Sequence, residues 1–180
     1  MSPRTKTEST LYLSLLGFFL KKPNYGYEMY KYLLNETAFF KIWFVKQSQF
    51  YGYLERLFLD GYLSQEFKEG DQYPARRIFS ITKTGTITLE NWIISPVKRG
   101  REMRQEFLAK LFIAQNSYKE KIEILIHNQT ALCHQWIKEQ DEILFSEEDQ
   151  FQKLLINYRK MQIQAMIDWL YLVKIYQKNS

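Results

Sequence analysis

Two short stretches of this 180-residue sequence gather side chains that could do chemistry: Lys46, Ser48, Gln49, Tyr51 and Arg56, then Arg76 and Arg77. None of these sets pairs a nucleophile with a base. They offer hydrogen bonds and positive charge, which is the chemistry of recognition. Glutamine presents a donor and an acceptor side by side, as an adenine edge requires, and arginine suits guanine or phosphate. Ser48, Gln49 and Arg56 are therefore the candidates for base edges or phosphates. Lys46 and Tyr51, with Tyr27 upstream, suit backbone contacts that position without specifying. Arg76 and Arg77 alternate along one segment, so one faces solvent or a phosphate and the other pairs with an acidic neighbour.

These residues need elements to hold them. With Phe50 as zero on a helical wheel, Leu54, Leu57 and Phe58 fall on one side, the spacing of a buried stripe. Ser48, Gln49, Gly52, Glu55 and Arg56 occupy the other, with Tyr51 and Tyr53 at its edges. Gly52 at the centre of that face permits close approach of another surface. Gly61 predicts a helix stop, Tyr62–Phe67 a strand, Glu69-Gly70-Asp71 a turn and Ile78–Ile81 the returning strand. A polar helix face followed at once by a basic hairpin is what a winged helix offers to DNA.

Upstream, residues 9–20 predict a helix that is apolar on most sides. Pro23-Asn24 breaks it, and Asn24 is placed to cap a second helix over residues 25–37 with Met29, Tyr30, Leu33 and Leu34 inside. Thr82 predicts the cap of a fourth helix burying Ile87, Leu89, Trp92 and Ile93, and residues 95–100 read as a hinge. Met103, Phe107, Leu108, Leu111 and Phe112 predict one amphipathic helix. Ser117 to Glu120 reads as a capping box opening another, whose apolar set is Ile122, Leu125, Ile126, Leu132 and Trp136. Ser146 with the carboxylates after it predicts the start of a long last helix. Its apolar positions are Phe151, Leu154, Tyr158, Met161, Ala165, Trp169, Leu172 and Tyr176, close to a heptad seam with one stutter. So long a stripe is too much for a small domain to bury, and it predicts a homodimer paired through these helices.

The sequence resembles the PadR family of transcriptional regulators. The resemblance is carried by Pro23-Asn24-Tyr25-Gly26-Tyr27-Glu28, by Ser48-Gln49-Phe50-Tyr51 with Leu54 to Leu63, by Pro74-x-Arg76-Arg77-x-Phe79-x-Ile81-Thr82-x-x-Gly85, and by Glu106 to Phe112. It implies a mainly α fold with a small antiparallel β-hairpin. Residues 1–97 would form a winged helix-turn-helix and residues 98–180 a helical dimerisation domain with a long C-terminal helix. It also implies a dimeric repressor on an imperfect inverted repeat of double-stranded DNA. Some family members sense phenolic acids or planar drugs, which implies release by a small aromatic effector. Gly52 stands where the family usually has proline. Two other readings stay open: a winged helix used as a protein-interaction module, or a helical ligand-binding protein without DNA binding.

Composition sets the outer bounds. Hydrophobic residues make up 46% and aromatic residues 17%, ample for a core, and 25 basic against 20 acidic residues leave a formal charge of +5. That excess alone does not establish nucleic-acid binding, so the local arrangement carries the argument. One cysteine, Cys133, excludes an internal disulfide. The apolar run at residues 11–20 lacks a cleavage site and is too short to span a membrane, so a cytoplasmic location is expected. His127 and His134 lie too far apart for a compact zinc site, so no metal and no cofactor are predicted. Trp43, Trp92, Trp136 and Trp169 read as packing groups that could also stack on an effector. There is no phosphate loop and no nucleophile elbow, so an enzyme is not expected.

Overall fold

The computed structural model describes residues 10–70 and 73–178. The chain is mainly helical with a small three-stranded antiparallel sheet of order β1-β3-β2. Leu11–Phe19 is wound as a 3-10 helix, with Leu15 and Leu16 fully buried; Ser9 lies outside the described residues. β1 (Asn24–Tyr25) pairs with β3, Asn24 opposite Phe79. This short strand corrects the expectation for Asn24. Its Oδ1 accepts from the Tyr25 N–H at 2.9 Å and caps no helix. α1 (Gly26–Asn35) buries Met29 and Leu33, whereas Leu34, expected inside, is half exposed. α2 (Phe39–Ile42) is a single turn that periodicity could not register. Phe39 nevertheless anchors it, packing edge-on to Phe18 at 4.9 Å.

α3 (Gln47–Leu59) buries Phe50, Leu54 and Leu57 completely. It closes in a Schellman motif: the Tyr62 N–H donates to Leu57 O and the Gly61 N–H to Phe58 O, both at 2.9 Å. Gly61 makes this closure at φ +74°, a region costly for residues with a Cβ. β2 (Leu63–Gly70) and β3 (Tyr73–Ile81) are longer than the sequence suggested, and Asp71 at the turn lies outside the described residues. Thr82 caps α4 (Lys83–Ile94) as expected, its Oγ1 accepting from the Gly85 N–H at 2.9 Å. Leu89, Trp92 and Ile93 are buried, but Ile87 is half exposed.

The expected hinge is instead tied down. The Val97 side chain is buried and its N–H donates to Gln129 Oε1 at 2.7 Å. Asn128 Nδ2 donates to Ile94 O at 2.8 Å, and the Lys98 and Arg99 N–H groups both donate to Glu102 Oε2 at 3.1 Å. The single helix expected beyond it is two pieces, a 3-10 turn Gly100–Arg104 and α5 (Glu106–Ser117), broken at Gln105. Ser117 ends α5 and does not cap the next helix. A 3-10 turn intervenes before α6 (Ile122–Ser146). Ser146 likewise ends α6, and Asp149 initiates α7 (Gln150–Lys178) by accepting from the Gln152 N–H at 2.8 Å.

α7 has two apolar stripes. Ile156, Ile163, Ile167, Leu170 and Val173 are buried, and α7 packs on α6. The stripe read as a seam is on the other side: Phe151, Leu154, Tyr158, Met161, Leu172 and Tyr176 are each roughly half or more exposed. Trp169 is the exception, half-buried against Phe107 with ring centroids 5.8 Å apart. Among the described residues an apolar cluster extends from Leu11 to Val173.

Candidate nucleic-acid interface

The buried side of α3 fixes what its other side presents. Phe50, Leu54 and Leu57 face the core, so Ser48, Gln49, Tyr51, Gly52 and Glu55, with Lys46 just before the helix, are turned to solvent. Every sequence-predicted residue at the start of α3 is thus exposed on one face. A Cβ built on Gly52 would meet nothing within 4 Å, so the fold itself does not require glycine there. Gln49 is partly engaged: its Oε1 accepts from the Lys46 N–H at 3.3 Å, which supports the helix start and must be released before the amide can read an adenine edge with both atoms.

The hairpin stands beside this face. A cleft of about 640 Å³ separates them, lined by Tyr25, Gly26, Tyr27, Tyr51, Arg76 and Arg77 among others. Gly26 allows the closeness of α1 and α3, because a Cβ there would lie 2.8 Å from Tyr51 Cε1. Tyr27 is well exposed at the first turn of α1. Arg77 is the arginine that pairs with an acidic neighbour, its Nη1 3.1 Å from Glu55 Oε2. Its guanidinium also lies 5.8 Å from the Phe67 ring centroid. Arg76 is exposed on the same strand.

Arg56 stands apart from this group. Its guanidinium lies over the Tyr12 ring at 4.2 Å, with Nε 3.7 Å from Asp60 Oδ2. The same carboxylate accepts from the Tyr12 hydroxyl at 3.3 Å. Arg56 therefore fastens α3 to the entry helix, and a DNA contact would compete with that packing. Burial pushes the Tyr12 hydroxyl pKa up.

Sequence reasoning missed the polar junction behind this surface. Lys110 is buried, yet its ammonium donates to Ser95 O at 2.7 Å and Ser95 Oγ at 3.0 Å, and lies 4.9 Å from the Trp92 ring centroid. Glu106 Oε1, 3.6 Å from that ammonium, accepts from Thr10 Oγ1 at 2.7 Å and Trp92 Nε1 at 3.2 Å. Desolvation lowers the Lys110 pKa to about 8 against the pull of Glu106. Nothing in the periodicity marks a lysine for burial. The i, i+4 spacing of Glu106 and Lys110 was the available signal.

Among the described residues no helix is long and apolar enough to cross a membrane. His127 and His134 are exposed on α6, while Cys133 is buried and its thiol pKa is raised by burial.

Residues 15–91 match the family model described as "Transcriptional regulator PadR-like family". No curated protein matches the chain. Its fold is similar to that of Bacillus subtilis PadR in complex with operator DNA, at 19% identity over 91% of this chain and 97% of that one, TM-score 0.46. It is also similar to Bacillus subtilis PadR in complex with p-coumaric acid, at 19% identity over 93% and 98%, TM-score 0.42. A third similar structure is the PadR-like regulator BC1756 from Bacillus cereus, at 14% identity over 98% and 99%, TM-score 0.44. The part of the chain that holds α3 and both strands of the hairpin, residues 15–91, is thus similar to the PadR-like family of transcriptional regulators.

Proposed function

We propose that the chain is a sequence-specific, homodimeric DNA-binding repressor. Residues 1–97 read the operator and residues 98–180 pair the two copies. The observation that carries this reading is the exposed face of Lys46, Ser48, Gln49, Tyr51 and Gly52 beside Arg76 and Arg77, inside the family-matched region. Two such faces enter successive major grooves of an imperfect inverted repeat, roughly 34–36 Å apart, with the hairpins along the flanking backbone. The outer stripe of α7 supports the dimer: an exposed row of large apolar side chains along a helix this long favours cover by a second copy. Release by a small aromatic effector completes the proposed cycle, and Trp136 and Trp169 are rings on which such a ligand can stack.

A mobility-shift assay with DNA from upstream of the chain's own gene, titrated with salt, tests the reading. Competition by that specific sequence and a steep fall of affinity with salt are expected. Equal competition by unrelated DNA would exclude a sequence-specific regulator.

A further inference from the structure

A second cavity, of about 670 Å³, opens where the 3-10 turn Gly100–Arg104 meets α6 and α7. Its volume lies in the range of small-molecule sites. Its lining mixes two kinds of group. Trp136 and Trp169, each half-buried, supply flat apolar surface, with Met103 and Met166 between the helices. Lys98, Arg99, Arg101, Arg104 and Arg159 supply positive charge, and Glu139 is the single carboxylate among the lining residues. Arg99 approaches Glu102 at 4.0 Å. No carboxylate among the described residues lies within ion-pair distance of Arg101, Arg104 or Arg159.

A third feature narrows the chemistry. Gln140 Oε1, on the cavity wall, is buried and has no hydrogen-bond partner among the described residues. Buried polar atoms in folded proteins are almost always partnered. This oxygen is an acceptor, so it is open to an N–H or O–H donor entering the cavity. The cationic groups call for an anion, and arginine forks match phosphate or carboxylate oxygens two at a time. One negative charge would leave most of these guanidinium groups uncompensated.

We propose that this cavity binds a planar ring that carries an N–H donor and at least two negative charges, the chemistry of a purine nucleoside phosphate. The ring lies against Trp136 and Trp169, its N–H donates to Gln140 Oε1, and the phosphates sit among Arg101, Arg104 and Arg159. Ala165 belongs both to the lining and to the outer stripe of α7, so a second copy packed on that stripe borders the ligand. The inference rests on the effector part of the proposed function and gives that effector a chemical class and a site.

Adenosine triphosphate, guanosine triphosphate, adenosine, pyrophosphate and p-coumarate are titrated into the full chain without DNA, read by tryptophan fluorescence and calorimetry. At least one triphosphate is expected to bind roughly tenfold or more tighter than adenosine or p-coumarate. Arg104→Ala with Arg159→Ala should weaken it about tenfold or more at an unchanged melting temperature. Gln140→Leu should weaken the triphosphate and leave pyrophosphate unaffected. Equal binding of all five probes, tighter p-coumarate, no triphosphate binding, or indifference to the paired arginine change would each overturn the assignment. Operator binding is scored separately by mobility shift. Lost triphosphate binding with an intact operator shift refutes the cavity alone, whereas the reverse refutes the DNA reading.

Discussion

Gly52→Ala separates stability from recognition in opposite directions. Gly52 lies in the interior of α3, and a Cβ there meets nothing within 4 Å. Replacing a glycine inside a helix by alanine gains about 1 kcal/mol of helix propensity. For a chain of this size that corresponds to a rise of about 2–4 °C in Tm. The added methyl points from the centre of the exposed face, where a DNA surface would have to approach. Forcing a methyl group into a close-packed contact costs about 1–3 kcal/mol, which is a loss of about fivefold or more in operator affinity. Thermal melts and mobility shifts at one salt concentration measure the two effects. Gly61→Ala is the control, because a side chain at φ +74° costs about 1–2 kcal/mol in the fold and touches no predicted DNA contact. A G52A protein with raised Tm and undiminished operator affinity would refute close approach of α3 at this position.

Other expectations follow from the same geometry. Arg76→Ala or Arg77→Ala should weaken binding across sequences and lower the magnitude of the salt slope by about 1 for each phosphate no longer neutralised. Two unchanged slopes would remove the hairpin from the interface. Glu55→Gln should tighten DNA binding, since Arg77 then no longer divides its guanidinium between Glu55 and phosphate; an equal or weaker shift counts against that. Lys110 titrates near pH 8 when folded but at about 10.5 when unfolded, so the unfolded chain holds the extra proton between these values. Stability should therefore rise from pH 8 to 10.5, by on the order of 3 kcal/mol, and stay level with respect to this group below pH 8. Urea melts of Lys110→Met should lack that rise. Met161→Glu with Leu172→Glu, both on exposed positions, should yield a folded monomer by light scattering and circular dichroism; a surviving dimer would exclude the α7 stripe.

The sequence made some features legible because they are local. The α3 stripe at Phe50, Leu54 and Leu57, the Gly61 stop and the Thr82 cap each depend on residues within a few positions and stand in the structure, whereas Phe58, expected on the same stripe, is only partly buried. β1 was invisible, since two residues carry no periodicity and Asn24 looks like a cap until Phe79 pairs opposite it. The ends of α5 and α6 were misread for a related reason. Ser117 and Ser146 are good cap residues, but each stands where the preceding helix is still running. On α7 the heptad seam leaves out a second apolar stripe, Ile156, Ile163, Ile167, Leu170 and Val173. Packing chose the isoleucine stripe for α6 and left the aromatic one, Trp169 apart, outside. At the candidate interface, the exposure of Ser48, Gln49, Tyr51, Gly52 and Glu55 followed from the wheel. The engagement of Arg56 with Tyr12 did not, because that contact spans distant parts of the chain.

The tethered segment between α4 and α5 bears on spacer length. Inserting one base pair between two half-sites moves them about 3.4 Å apart and turns one about the duplex by roughly 34°. A slack linker would absorb such a change by swinging each reading head independently. Here Ile94, Ser95 and Val97 are held by Asn128, Lys110 and Gln129, so the chain leaving α4 is bolted to the helices behind it. In the proposed dimer the distance between half-sites then becomes information as strict as the bases within them, and a promoter under the proposed repression would escape it by gaining a single base pair.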